Sequence, residues 1–395
     1  MKNLIKYIKS IGIAPLLLII IYLLNPFNYG FLIGYILVPV ILFDSDFIKK
    51  NLDTDFYILL LFSVIYGLFY SFGAENSLGT QYIFIYMITP PVFYLFGKYL
   101  IKDKILNQNN IFYIILCVVT VFSLSAVISV FLNFHEGGFA QLDRTIPMFW
   151  NGAPVSATIM GGFLTFNMCI PALLISNQGK KGIIFNILLS TLFAITLVCV
   201  LRLGSRTQLG IFLITTIISL IYVIPKQSFK RNLLLFVFIG AIIFFITKNI
   251  SFDLNQDWLT TFADRMDKGG SDIASGGGRT ERWEKSFRNL FEKPLGWDVR
   301  EFGYSHNLWL DVLRVSGFIP FFLLVIFSIK SLIQIRKIVL LKPNNILLNS
   351  QIIIYSIAFF LLFMVEPIFE GLFTFFVLFC LFKGSINKYY LNNLN

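Results

Sequence analysis

Twelve apolar runs, most of them close to 20 residues long, punctuate this chain, and that is the length an α-helix needs to cross the hydrocarbon core of a bilayer. They fall near 11–24, 27–43, 56–72, 81–99, 111–134, 153–176, 183–202, 208–224, 232–250, 308–329, 350–366 and 368–382. Only 13% of the residues are charged while 57% are hydrophobic, about half the charge a water-facing surface carries, so the apolar excess must face lipid. The expectation is an all-α, polytopic integral membrane protein of about 12 transmembrane helices. Residues 1–250 would hold the first nine, 251–306 one long external loop with a short amphipathic helix, and 307–395 the last three and a cytoplasmic tail. Lys2, Lys6 and Lys9 precede the first run without a small-residue cleavage site, which predicts an uncleaved first helix rather than a signal peptide.

Composition also narrows the chemistry. Cys117, Cys169, Cys199 and Cys380 all lie inside apolar runs with no C-x-x-C pair, so they read as small core residues rather than a zinc site or disulfide framework. His135 and His306 are the only histidines, too few for a multi-histidine metal centre.

With the N-terminus inside, Lys49-Lys50, Lys98, Lys102, Lys104, Lys180-Lys181, Lys226, Lys230, Arg231, Lys330, Arg336, Lys337, Lys342, Lys383 and Lys388 all fall on one side. The charge rule makes that side cytoplasmic, and both termini with it. Residue type then separates the faces: the inside set is 17 Lys and 2 Arg, the outside set 4 Lys and 9 Arg. Lysine suffices to set topology, whereas a planar guanidinium suits bidentate binding of phosphate oxygens. An anionic, phosphate-bearing ligand on the external face is therefore expected.

Every connection is short except the stretch from about Ser251 to His306, and long connections are usually functional. It opens with Asp253 and Asp257, passes Gly269-Gly270 and Gly276-Gly277-Gly278, and then places Trp283, Phe287, Leu290 and Phe291 at helical spacing. Pro294 and Gly296 end that helix, which would lie on the outer leaflet or against the bundle, with Arg279 and Arg282 one turn apart at its N-terminal end. Arg202 and Arg206 occupy a tight turn between the seventh and eighth runs, where charge near hydrocarbon must be paired or functional. Arg314 would pair with Asp311. His306 enters the membrane at the external surface, where a near-neutral imidazole can take a proton from a hydroxyl. Glu366 and Glu370, in the last external hairpin, compete for that role or pair with the external arginines. His135, Glu136, Asp143 and Arg144 read as a solvated external loop.

Three pieces in order give this chain a resemblance to the bacterial O-antigen ligase and O-antigen polymerase superfamily. They are Gly204-Ser205-Arg206-Thr207 opening a span, Gly278-Arg279 with Arg282-Trp283 leading to Pro294-Leu295-Gly296, and His306-Asn307-Leu308-Trp309-Leu310 followed by Gly317. The resemblance covers roughly 200–330 and implies a metal-independent, cofactor-free, GT-C-like inverting glycosyltransferase. Its donor and acceptor would be oligosaccharides linked to undecaprenyl diphosphate, and its place the inner membrane of a bacterium, with the site facing the periplasm. Carried onto matching positions, Arg206 and Arg279 would hold the diphosphate and His306 would activate the acceptor hydroxyl; Arg202, Arg282, Asn307, Glu366 and Glu370 complete the expected substrate-binding set. The aromatic-rich composition, with Phe 45 and Tyr 17, favours a polymerase, with a chain-length regulator protein as a further partner. The alternatives are a ligase transferring the glycan to lipid A-core and a lipid-linked oligosaccharide flippase.

Two D-x-D triplets, Asp44-Ser45-Asp46 and Asp53-Thr54-Asp55, raise the rival of a metal-dependent nucleotide-sugar enzyme. Both sit in a short cytoplasmic loop beside Lys49-Lys50 and read as solvated. A transporter would carry charge at mid-membrane, whereas here charge is expected to gather at one surface. The scattered basic residues give no support for nucleic-acid binding.

Overall fold

The computed structural model describes all of the chain except residues 1–6, 8–9, 26–29, 43, 73–78, 103–107, 137, 141, 178–181, 250–255, 258–259, 268–277 and 395. Asp253, the Gly269-Gly270 and Gly276-Gly277 pairs, Lys2, Lys6, Lys9, Lys104 and Lys180-Lys181 lie outside the described residues. The protein is an all-α membrane protein built from α1 (Ile13–Leu24), α2 (Gly30–Leu42), α3 (Ser45–Asn51), α4 (Thr54–Phe72), α5 (Gln81–Leu100), α6 (Gln108–Asn133), α7 (Ala157–Met168), α8 (Ile170–Asn177), α9 (Ile183–Leu203), α10 (Arg206–Val223) and α11 (Phe229–Asn249). After these come α12 (Thr260–Asp267), α13 (Arg279–Glu292), α14 (Leu308–Ser316), α15 (Phe318–Leu341), α16 (Ile346–Val365), α17 (Ile368–Gly371) and α18 (Phe373–Leu394). Among the described residues nine helices are long and apolar enough to cross a bilayer, and two shorter apolar helices precede them.

The tenth expected span, 308–329, is two helices instead. Gly317 adopts a positive φ of 73° between α14 and α15, and the Phe318 N–H leaves the helical ladder to bond the Pro294 carbonyl at 2.9 Å. A β-carbon on Gly317 would lie 2.4 Å from that carbonyl oxygen, so the break requires glycine.

Two compact units interleave in sequence: Met1–Val121 with Ala274–Lys342 and Leu362–Asn395, and Phe122–Ile273 with Pro343–Leu361. The stretch expected as one long loop is thus divided, its described residues before 268 belonging to the second unit and those from Gly278 to His306 to the first.

In the first unit α5 and α18 cross at small residues. A β-carbon on Gly97 would meet the Leu381 carbonyl oxygen at 1.9 Å and one on Gly384 the Tyr94 carbonyl oxygen at 1.9 Å, and the Ser385 hydroxyl donates to the Gly97 carbonyl at 3.1 Å. Such close approach is how helices gain packing in lipid, where burial of apolar surface offers little. Gly384→Leu is therefore expected to cost about 3 kcal/mol or more, because the clash is with backbone that cannot yield. Gly240→Leu in α11, with nothing within 4 Å, is the matched control; equal melting temperatures for the two variants would contradict this account.

The aspartates of the second D-x-D are not solvated. Asp53 caps α4, accepting the Phe56 N–H at 2.9 Å, and also takes the Lys98 ammonium at 2.5 Å and the Tyr94 hydroxyl at 2.9 Å. Asp55, buried, pairs with Lys383 at 2.9 Å and Lys330 at 3.3 Å. Asp44 caps α3 through the Phe47 N–H. This unit therefore carries a cluster of paired charge at Asp53, Asp55, Lys98, Lys330 and Lys383, apart from the arginines of α13. Lys98 binds one carboxylate oxygen of Asp53, and Lys330 and Lys383 bind the two of Asp55, which gives the second triplet a structural job.

In the second unit the core joins Val130, Met160, Leu164, Cys199, Val200 and Leu203. Cys169, Cys199 and Cys380 are buried as expected, but Cys117 is exposed, so it faces outward instead of filling a core. No residue of α11 is buried, as a span bathed in lipid allows.

Candidate functional site

Arg202 and Arg206 belong to the second unit. Gly204, at a φ of 57°, closes α9 in the left-handed region, and Ser205 then opens α10, its hydroxyl bonded to the Gln208 side chain three residues on. That is a helix stop followed by a helix start with no loop between. Arg206 is the first residue of α10 and half-buried. Arg202 is 0% exposed; its guanidinium donates to the Asp143 carbonyl at 3.1 Å and to Asn133 Oδ1 at 3.0 Å. It therefore pins the chain at Asp143 to α9, and these contacts engage the guanidinium that was expected to bind substrate. Arg144, donating to the Leu203 carbonyl at 2.7 Å, and Glu136, accepting from Asn133 at 2.6 Å, serve the same fastening.

The remaining predicted residues lie in the first unit, and the structure brings most of them together. Pro294-Leu295-Gly296 turns the chain after α13 and docks on the α14–α15 break: Trp297 N–H bonds the Arg314 carbonyl at 3.0 Å while Phe318 N–H bonds Pro294. The proline-leucine-glycine piece and Gly317, singled out separately in the sequence, are thus contact partners. Trp297, Leu310, Leu313 and Phe321 fill the space beneath, with Trp283 and Leu290 of α13 packed against them. The expected four-residue apolar stripe of α13 is therefore divided, since Phe287 and Phe291 point away and are exposed.

The N-terminal turn of α13 meets the segment Tyr304–Asn307. Arg282 donates to the Tyr304 carbonyl at 3.1 Å, Trp283 Nε1 to the Ser305 carbonyl at 2.9 Å, and the Ser286 and Ser305 hydroxyls lie 2.8 Å apart. Arg279, at the first position of α13 behind the left-handed Gly278, keeps a long 3.9 Å ion pair with Glu366 and is about one-third exposed.

His306 is held between these elements at a φ of 53°, a backbone conformation that non-glycine residues seldom adopt without support. The support is Asp311. Its buried carboxylate accepts the Ser305 N–H at 2.7 Å and the Asn307 N–H at 3.1 Å, clamping the backbone on both sides of the imidazole. Asn307 faces inward, where its side chain caps α14 by accepting from Trp309 and Leu310 N–H, each at 3.2 Å. It positions the helix start through these bonds.

The His306 Nδ1 atom is buried and has no hydrogen-bond partner. Burial, then the Arg279 and Arg282 guanidinium groups, lower the ring pKa to about 4, so the imidazole is neutral at physiological pH and free to accept a proton.

Arg314 does not pair with Asp311 as expected. Its guanidinium binds Glu370 at 2.7 Å, 5.2 Å from the Tyr304 ring, because the Asp311 oxygens are already committed to backbone N–H groups. Burial first and the Glu370 carboxylate next push the Asp311 carboxyl above the usual carboxylate range. Glu366 and Glu370 thus stand in the arginine-pairing role that was the alternative to substrate binding.

No protein-family model matches the chain, and no curated protein is similar to it. What the site does must therefore be argued from its own groups: two guanidinium groups at the positive end of a helix, a neutral imidazole with an unpartnered nitrogen, and a buried frame that holds all three.

Nothing in the residue pattern marks Asp311, Ser305 or Ser286 as part of this frame. The spacing Asn307 to Asp311 is the one trace, since a cap and a carboxylate one turn later can bracket the start of a helix.

Proposed function

We propose that the chain is a membrane glycosyltransferase that joins oligosaccharide repeats carried on undecaprenyl diphosphate, an O-antigen polymerase of metal-independent, inverting mechanism. The observation that carries this reading is the meeting of Arg279, Arg282 and the unpartnered imidazole of His306 at one end of α13. In this reading twelve helices cross the inner membrane in a GT-C-like arrangement: the nine long apolar helices, α1, α2 and α18. The termini are cytoplasmic and the site opens to the periplasm.

The chemistry follows from the groups. His306 takes the proton of the acceptor hydroxyl, the oxygen attacks the anomeric carbon, and the bond from that carbon to the diphosphate oxygen breaks with its electron pair leaving on undecaprenyl diphosphate. Arg279 and Arg282 stabilise the charge that develops on the leaving group. A base of pKa about 4 is weak, but two of the three causes of that value are positive charges that a bound diphosphate neutralises. The donor would therefore raise the basicity of His306 as it binds, readying the base only when there is something to cleave.

The test is reconstitution of the purified protein in vesicles with a matching lipid-linked repeat, first alone and then with lipid A-core added, the products resolved by size. A ladder from the repeat alone is the expected result. Transfer only to lipid A-core would make the protein a ligase acting through the same site. Movement of the lipid-linked glycan across the bilayer without any transfer would replace the enzyme reading with a flippase.

A further inference from the structure

The external helix α13 has two apolar faces, and the bundle accounts for one. Trp283 and Leu290 pack on Trp297, Leu310, Leu313 and Phe321, with Ser286 and Asn289 buried between them. The other is an apolar strip: Phe287 and Phe291, 53% and 84% exposed and four residues apart on the helix, with Leu295, 67% exposed, in the turn that follows.

What covers this strip is fixed by its depth. Leu295 sits in the turn whose Pro294 carbonyl accepts the Phe318 N–H at 2.9 Å, and Phe318 is the first residue of the span α15. The lower end of the strip therefore adjoins the start of α15 and its row of Phe318, Ile319 and Phe322, all exposed on the surface of the chain, and a span that begins at Phe318 puts the edge of the hydrocarbon there. From there α13 carries the apolar surface onward without interruption. Its cations suit that position. Lys285 and Arg288 lie on the exposed side of the same helix, each paired one turn back with a glutamate, and Arg300 is exposed beyond the turn. Phenylalanine and leucine below, with long basic side chains reaching phosphate level, is the distribution of a helix lying in the plane of a leaflet.

We infer that α13 is an interfacial anchor: its Phe287–Phe291–Leu295 face inserts into the outer leaflet at the boundary of headgroups and acyl chains. This holds whatever reaction the site performs. Its consequence is positional, because Arg279 is the first residue of the same helix and Arg282 bonds the backbone two residues before His306. The anchor would hold these groups at phosphate height, where a lipid-linked anion presents its charge.

The test uses the full chain in nanodiscs containing phosphatidylethanolamine and phosphatidylglycerol, with the photo-crosslinking residue benzoylphenylalanine in place of Phe291, and separately of Phe287 in case the first variant assembles poorly. Phe322 replaced likewise is the lipid-facing control, and Lys285, exposed on the flank of α13 turned away from Phe287 and Phe291, the water-facing one. Illumination is expected to add a phospholipid mass to the 291 and 287 variants as it does to the 322 variant, and not to the 285 variant. Crosslinked dimers would assign the strip to a second copy, and crosslinks within one chain would assign it to another segment of this protein. Either result, or lipid adducts at 322 with none at 291 or 287, overturns the inference.

Discussion

If the protein is the proposed glycosyltransferase, His306→Ala is expected to lower glycan transfer by about 10²–10⁴-fold, the range a positioned general base supplies, while inorganic diphosphate still binds through Arg279 and Arg282. The pH dependence separates this role from a structural one. Transfer requires the neutral imidazole, so the rate rises with pH through the pKa of His306. In the free protein that value is about 4, set by burial and then by the two guanidinium groups. The acidic limb of kcat/KM, which reports the free enzyme, should therefore lie near pH 4, and the limb of kcat, which reports the complex, at higher pH. The same shift can be watched without turnover. His135 is the only other histidine, so a His135→Gln background leaves a single imidazole to follow by NMR. Adding diphosphate, or replacing Arg279 with alanine, should raise its titration midpoint. A midpoint that moves with neither would remove the coupling proposed between donor and base. The sign for stability follows from the same value: the unfolded chain, with an ordinary imidazole, binds the proton more readily than the folded one. His306 thus favours the folded state above about pH 6.5 and loses that contribution as pH falls toward 4.

The parts of this site that could be read from sequence share a physical property: each is expressed by residue type and distance from the membrane. Hydrophobic runs locate the spans because a bilayer imposes their length. Arginine at one face against lysine at the other isolates Arg279 and Arg282, and the scarcity of histidine isolates His306. The arrangement that makes these residues work is carried by pairs that no local pattern encodes. Asp311 holds the backbone around His306 with acceptors for N–H groups that every residue but proline possesses. Its commitment there turns Arg314 to Glu370, 56 positions away, against the nearer partner that proximity in sequence favours. Asp53 and Asp55 look solvated beside Lys49-Lys50 until α5 and α18 bring Lys98 and Lys383 onto them. Arg202 and Arg206 stand four residues apart and read alike, yet one is wholly buried as a fastening and the other heads a helix. Burial at a helix end depends on what the neighbouring loop does, and the 134–155 segment closes over Arg202.

Arg314→Met should destabilise the protein by about 3–5 kcal/mol, the cost of leaving a buried charge without its partner. The guanidinium is more than nine-tenths buried and binds Glu370 at 2.7 Å, with the Asp311 carboxyl close enough to feel both. Without it, two acidic groups share a dry site with no cation, and at least one must take up a proton or draw in water. Lysine would restore the charge but neither the planar fork that meets Glu370 nor the face that lies 5.2 Å from the Tyr304 ring, so Arg314→Lys should recover only part of the loss. Arg314→Met with Glu370→Met removes both ends of the pair and is expected to be more stable than Arg314→Met alone, the non-additivity measuring their coupling. Melting temperatures of the four proteins in one detergent would decide it; an unchanged value for Arg314→Met would mean that the pair contributes nothing. The site should register the loss as well. The Arg314 carbonyl holds the Trp297 N–H, and its side chain bears on Tyr304, whose own carbonyl receives Arg282. A variant that loosens this frame would free His306 from its left-handed backbone, so that its imidazole, still present and still neutral, no longer stands beside Arg279 and Arg282, where the proposed reading places the substrate.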